Sequence, residues 1–319
     1  MGAPPFDFGG VRTYPFAERQ SLVHLRDMAR PPEDPAVVLP FLSCLPDILA
    51  ARDIKRLAQT VVGARVAKRG VILALGAHVV KTGAGLHLLP LIREGLVTHL
   101  AVNGAFAIHD YELGRFGATS EDVGRNLPRG LFGLVEETGE ALNRLVKAAA
   151  ATGEPFGHLV GREITACGQH ADASVLACAA EEGVGVTIHV TMGADIVHQH
   201  PTADGAAWGT AGLHDFRRLA EALSSLHGGG VFVNVGSAVN LPEVFVKALN
   251  IARHLGATVE GFTTANMDMI QHYRPRQNVL SRPTVGHGDC LALTGHHEIM
   301  IPLWSAATRA YARQAKATP

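Results

Sequence analysis

Gly70-Val-Ile-Leu-Ala-Leu-Gly-Ala-His-Val-Val-Lys-Thr-Gly-Ala-Gly85 is the stretch from which the fold class follows. Val71 to Leu75 form a short apolar run between two glycines, the signature of a buried strand rather than of a helix. A glycine-rich turn follows, and residues 88–94 then take helical spacing up to a stop at Gly95. The same strand, turn and helix order recurs downstream. Strands are expected over 99–102, 184–190, 231–235 and 258–263, and helices over 136–151, 171–182, 213–226, 242–255 and 302–314. Thr119-Ser-Glu-Asp122 fits a capping box that opens a short helix. Strands alternating with helices imply βαβ units, so the expectation is one α/β domain over 41–319, a doubly wound parallel sheet covered on both faces. Residues 1–40, rich in proline, glycine and charge, read as an extended N-terminal arm of the kind oligomers use.

Composition bounds the function. The 319 residues, 47% hydrophobic and 18% charged, exclude a disordered chain. With 28 basic against 29 acidic residues the formal charge is -1, so no global basic field attracts nucleic acid or an anionic membrane. Cys44, Cys167, Cys178 and Cys290 form no C-x-x-C pair, which points to reduced thiols and a cytoplasmic protein. No secretory leader is evident, and no apolar run reaches the length of a membrane span. Only six basic residues are lysine, whereas histidine reaches 17 and glycine 35.

In doubly wound sheets ligands lie beyond the carboxyl ends of the strands, which makes the residues after each strand the candidates. Gly76 to Gly85 is either a loop whose backbone amides approach a phosphate or a plain tight strand-to-helix turn. Asn103-Gly104-Ala105 leaves room for a flat ligand. His109-Asp110 with Glu112 is either an oriented general base or a cluster that satisfies a helix start. Asp195, His198 and His200 form D-x-x-H-x-H. On an extended segment the two histidines point the same way, a geometry used by metal sites and equally open to a substrate or cofactor pocket. Asp268 either holds a cationic group or pairs with Arg274 or Arg276. Adjacent residues diverge, so His296 and His297 read as structural or peripheral.

Taken together, these segments resemble the deoxyhypusine synthase superfamily over roughly residues 70–270. The likeness is carried by V-V-K-T-G at 79–83, L-V-T-H-L-A-V-N-G-A at 96–105, A-S-V-L-A-C-A-A at 173–180, G-A-D at 193–195, G-S-A-V at 236–239 and T-T-A at 263–265. The first half is also similar to the NAD-dependent ornithine cyclodeaminase domain. The resemblance implies a Rossmann-like NAD-binding domain and a homotetramer. It implies NAD contacts at Gly76, Ala77, His78, Thr82, Gly83, Asn103, Gly104, Ala105, Gly236, Ser237, Thr264 and Ala265. Asp195 matches an acidic residue that binds the polyamine in that family. The family's W-G-K motif, whose lysine forms the covalent imine, has no counterpart. No lysine falls between Lys247 and Lys316, and arginine cannot form an imine.

The resulting expectation is an NAD-dependent transferase or lyase that oxidises a small amine or amino acid transiently to an imine and is not a true deoxyhypusine synthase. His109, Asp110, Asp195 and His200 are the expected catalytic groups. Asp195, His198 and Asp268 are expected to bind substrate, and no metal is expected. A catalytically silent NAD-binding paralogue and a metal-dependent hydrolase using Asp195, His198 and His200 are the alternatives.

Overall fold

The structure is a computed structural model that describes residues 8–317. Eight strands are present among them: β1 Ser21–His24, β2 Val71–Leu75, β3 His99–Asn103, β4 Ala118–Glu121, β5 Gly185–His189, β6 Val231–Val235, β7 Thr263–Asp268 and β8 Asp289–Thr294. Six of them form one sheet in the order β5-β3-β2-β6-β7-β8, with every neighbouring pair parallel. The chain runs outward from β2 through β3 to β5, returns beside β2 as β6, and continues to β8. The connections diverge between β2 and β6, which is where a Rossmann-like doubly wound sheet opens its ligand crevice.

Burial explains the strand positions. All five residues of β2 and of β6 are buried, as central strands covered on both faces require, whereas the edge strand β8 alternates exposed and buried. The principal helices are α1 Leu49–Val66, α2 Gly104–Phe116, α3 Glu136–Thr152, α4 Phe156–Cys167, α5 Val175–Glu181, α6 Gly205–Ala222, α7 Asn240–His254 and α8 His297–Ala317. Val71, Leu73 and Leu75 pack into one hydrophobic cluster with α1, α2 and α8, while Ile72, Ala74 and Phe232 join a second with α6 and α7. No helix among the described residues is long and apolar enough to cross a membrane.

Three local expectations are corrected. Residues 119–121 belong to β4, which pairs antiparallel with β1, and the helix cap is Asp122, whose side chain accepts from the Arg125 amide. The strand expected over 258–263 begins only at Thr263. Both Arg253 donors take the Val259 carbonyl, so that segment leaves the ladder, and the polar residues of β7 are satisfied internally instead. Asn266 accepts from Asn234 at 2.7 Å and donates to Gln271 at 2.7 Å. Strand β8 lies where the sequence pattern predicts no strand.

The N-terminal segment lies against the body. Tyr14 bridges to Val135, β1 pairs with β4, and the Arg19 guanidinium is buried against Glu112. Pro4 and Pro5 of the expected arm lie outside the described residues.

Candidate functional site

A cavity of about 220 Å³ lies beyond the carboxyl ends of β2, β3 and β5, lined by Lys81, Ala105, His109, Ser120 and Asp195 among others. Asp195 sits against the start of α2. A Cβ placed on Gly104 would stand 2.2 Å from its Oδ2, so only glycine lets the carboxylate approach. The backbone amides of Thr191 and Ala105 donate to it, yet burial pushes its carboxyl up to about 6. His109, one turn into α2, has Nδ1 at 2.7 Å from Thr119 Oγ1. Burial lowers the imidazole to about 4 against the opposing pull of Glu112, so the ring is neutral near pH 7.

Two cavity residues are absent from the sequence-based candidates. Lys81 ends the one-turn helix His78–Lys81 and makes no ion pair among the described residues, which leaves its ammonium available to a ligand. Ser120 holds φ at 62°, a left-handed conformation that costs a non-glycine residue ~1–3 kcal/mol, and its buried hydroxyl has no hydrogen-bond partner among the described residues. Strain combined with an unsatisfied hydroxyl marks a ligand-contacting position better than any motif in that segment does.

The other expected catalytic residues do not meet there. Asp110 turns to the far side of α2, where it accepts from Ser174 Oγ at 2.6 Å and from the Val175 and Leu176 amides, each at 2.9 Å. It caps α5, and burial raises its carboxyl to about 6. The His198 and His200 side chains line a second cavity of about 240 Å³ beside Trp208. The chain turns tightly over Ile196–His198 instead of running extended, so the expected alignment is broken. His198 Nδ1 accepts from the Gly193 amide and its ring stands edge-on to Trp208 at 4.9 Å, while His200 Nδ1 accepts from the Thr202 amide. Among the described residues no group of three or more His, Cys, Asp or Glu side chains is placed to hold a metal ion.

At the switch point the turns that follow β2 and β6 pack closely, backbone against backbone. A Cβ on Gly76 would fall 2.0 Å from the Gly236 carbonyl oxygen, and one on Gly236, at φ 65°, would meet the His297 ring at 3.2 Å. The buried His297 leaves both ring nitrogens without a hydrogen bond. Its Nε2 stands 3.7 Å from Asp268 Oδ1, and its ring centre lies 6.4 Å from that of His78. Burial above all, then the charges of Lys81 and His297, lowers the His78 imidazole. Arg274 pairs with Glu243, and Asp268 faces His297 instead. His297, read as structural or peripheral, is buried at the start of α8, where β8, a strand the pattern does not announce, delivers it beside Asp268.

The remaining expected cofactor residues divide. Asn103 Oδ1 accepts from the Phe106 amide at 2.8 Å, Ser237 Oγ accepts from the Leu241 amide at 3.2 Å, and Ala77, Thr82 and Gly83 shape the turn after β2. Thr264 and Ala265 lie buried in the first half of β7, opposite Phe232 and Val233, and away from its carboxyl end. The five-residue shift of that strand puts Asp268 at its carboxyl end.

Sheet order and switch point define a doubly wound Rossmann-like α/β protein. No protein-family model matches the chain, and no curated protein matches it. Solved structures do. The ternary complex of AgrE with ornithine and NAD+ superposes over 82% of this chain and 33% of its own, at 15% identity and a TM-score of 0.54. A LOR/SDH protein from Methanococcus maripaludis S2 covers 88% of this chain and 73% of its own, at 12% identity and a TM-score of 0.50. A protein assigned as a deoxyhypusine synthase from Entamoeba histolytica covers 82% and 88%, at 9% identity and a TM-score of 0.47. Identity this low speaks for a shared fold alone. The chain spans about a third of the length of AgrE.

Proposed function

We propose that this chain is an NAD-dependent enzyme, a transferase or lyase, that acts on a small amino acid by transient oxidation at the carbon bearing its amine. The reading is carried by one cavity lined by an ammonium without an ion pair among the described residues (Lys81), a half-buried carboxylate (Asp195) and a neutral imidazole (His109). Opposite charges on one small cavity suit a dipolar substrate, with Asp195 taking the ammonium and Lys81 the carboxylate.

The crevice fits a dinucleotide. The glycine-rich turns after β2 and β6 offer backbone amides to a pyrophosphate, and the His297 nitrogens, without a hydrogen bond among the described residues, can bond ribose or phosphate. Gly76, Ala77, His78, Thr82, Gly83, Asn103, Gly236 and Ser237 are the residues that would hold it. Bound there, NAD+ supplies the hydride acceptor. The chain's own groups do the rest. As the substrate's carbon–ammonium bond becomes the double bond of an iminium, one hydride leaves from carbon and one proton passes from nitrogen to His109 Nε2. The ionised Asp195 stays opposite the cation throughout. Asn278 to Gly286 holds no lysine to form a protein imine. Exposed apolar side chains at Val239, Met269, Ile270, Tyr273 and Ile299 support a homo-oligomer within this reading, which also keeps the protein cytoplasmic.

The test is incubation of the purified protein and NAD+ with a panel of basic amino acids and with the matching amines that lack the carboxylate. NAD+-dependent product from the amino acids is the expected outcome. No product together with no thermal shift on adding NAD+ sinks the reading.

A further inference from the structure

Around the cavity, three buried side chains and the half-buried His109 form one line of hydrogen bonds whose direction is set at its far end. Arg19 reaches in from the N-terminal segment and grips Glu112 with both terminal nitrogens, Nη1 to Oε1 at 2.6 Å and Nη2 to Oε2 at 2.9 Å. The two side chains are each 1% exposed, so the guanidinium compensates a carboxylate that water does not reach. Thr138 Oγ1 donates to the same carboxylate at 3.1 Å, and Thr119 Oγ1 donates to Glu112 Oε2 at 2.5 Å. An ionised carboxylate held this way accepts only. Thr119 has a single hydroxyl proton and spends it on Glu112, so its oxygen must accept from its other neighbour, His109 Nδ1, at 2.7 Å.

We infer that Arg19, Glu112 and Thr119 are positioning residues that hold neutral His109 as the Nδ1–H tautomer, leaving the Nε2 lone pair free for the substrate's proton. Three consequences of the fold serve this arrangement. Strand β4 carries Thr119 at full burial, and its pairing with β1 sets the hydroxyl against α2. Glu112 lies one turn beyond His109 on α2, so the helix period itself aims both side chains at Thr119. Arg19 lies two residues before β1, stacked on Phe16, whose ring in turn stacks on Phe116 at the end of α2. The segment that closes the cavity therefore also supplies the charge that orients the line. When His109 takes a proton at Nε2, its Nδ1–H bond to Thr119 is already in place and the Glu112 charge stands behind the imidazolium. No rearrangement is needed at the moment of transfer.

The inference deepens the proposed reaction and rests on it for its use, but its test does not. In protein labelled with nitrogen-15 at histidine, long-range proton–nitrogen correlation near neutral pH reads each ring's tautomer, and His109→Gln assigns the His109 signals by their loss. Nδ1 protonated and Nε2 bare is the expected wild-type result, and a protonated Nε2 overturns the inference. Thr119→Val is expected to abolish the preference and Thr119→Ser to keep it. A Thr119→Val protein with the wild-type pattern overturns the inference equally, and the wild-type measurement decides the matter even where that variant does not fold. With a substrate in hand, Thr119→Val lowers kcat on the order of 100-fold with KM little changed, and Thr119→Ser restores it. Absence of turnover on every substrate counts against the proposed reaction alone, because the tautomer is read without substrate or NAD+.

Discussion

The sheet ends differently on its two sides of the switch point. Over β2, β3 and β5 the carboxyl ends open into a small cavity whose polar groups carry or exchange charge: Lys81, His109 and Asp195, with Glu112 and Arg19 behind them. Over β6, β7 and β8 the ends present backbone at Gly236, a His297 imidazole that faces Asp268 without a hydrogen bond among the described residues, and exposed apolar side chains from Val239 to Ile299. In the proposed reading, one side holds ions and moves a proton and the other accepts a flat, extended ligand against main chain. A protein that bound only a nucleotide would have no use for the first, and one that only trapped an amino acid would have no use for the second. The His78 ring centre lies 6.4 Å from that of His297.

That contrast can be broken from either side. The largest effect is expected from Gly76→Val, since its Cβ would strike the Gly236 carbonyl oxygen and neither backbone can yield. Thermal unfolding should register a loss of at least about 3 kcal/mol, the upper range for forced overpacking. Next is Asp195→Asn, which removes the ammonium partner and should raise KM for every amine-bearing substrate about 10- to 100-fold, as loss of a charge-assisted hydrogen bond does. The sign for stability is opposite. Burial raises Asp195 from the usual aspartate range to about 6, so its contribution to stability is complete below about pH 4 and is lost as pH rises through 6. Above pH 6 the Asn variant should therefore unfold no earlier than wild type. The same shift sets the pH profile: wild-type KM should fall as pH rises toward 6 and level off beyond it, with His109 neutral throughout. Lys81→Met sharpens the contrast further, weakening amino acids about tenfold or more while leaving amines without a carboxylate unchanged in a competition assay. Smallest is Ser120→Gly, which relieves the left-handed φ and should raise the melting temperature by a few degrees, for ~1 kcal/mol, while weakening substrate binding.

Much of the fold is legible because central parallel strands are apolar on both faces, and 71–75, 99–102 and 231–235 stand out as such runs between glycines. Strand β7 is displaced by five residues because its polar Asn266 is satisfied by Asn234 of β6 and its Asp268 faces His297 of α8, which no local pattern displays. Edge strand β8 is half exposed and lacks an apolar run, and the place of His297 is hidden with it. His109 and Asp195 are legible from their places at strand ends. Asp110 is not separable from its neighbour by sequence, since only the 100° step along α2 turns one to the cavity and the other to the α5 cap. Lysine scarcity draws attention to the missing imine-forming residue, yet the lysine that matters to this cavity, Lys81, sits inside V-V-K-T-G, where nothing local assigns it a role.

The central claim is that a charged substrate cavity and a dinucleotide crevice share one sheet. Calorimetric titration of NAD+ into the purified chain, wild type beside Gly236→Val, tests it most directly. The account predicts saturable one-to-one binding by the wild type and none by a folded Gly236→Val protein, whose added side chain would fill the crevice against His297. Absence of NAD+ binding by the wild type, or undiminished binding by the variant, contradicts it.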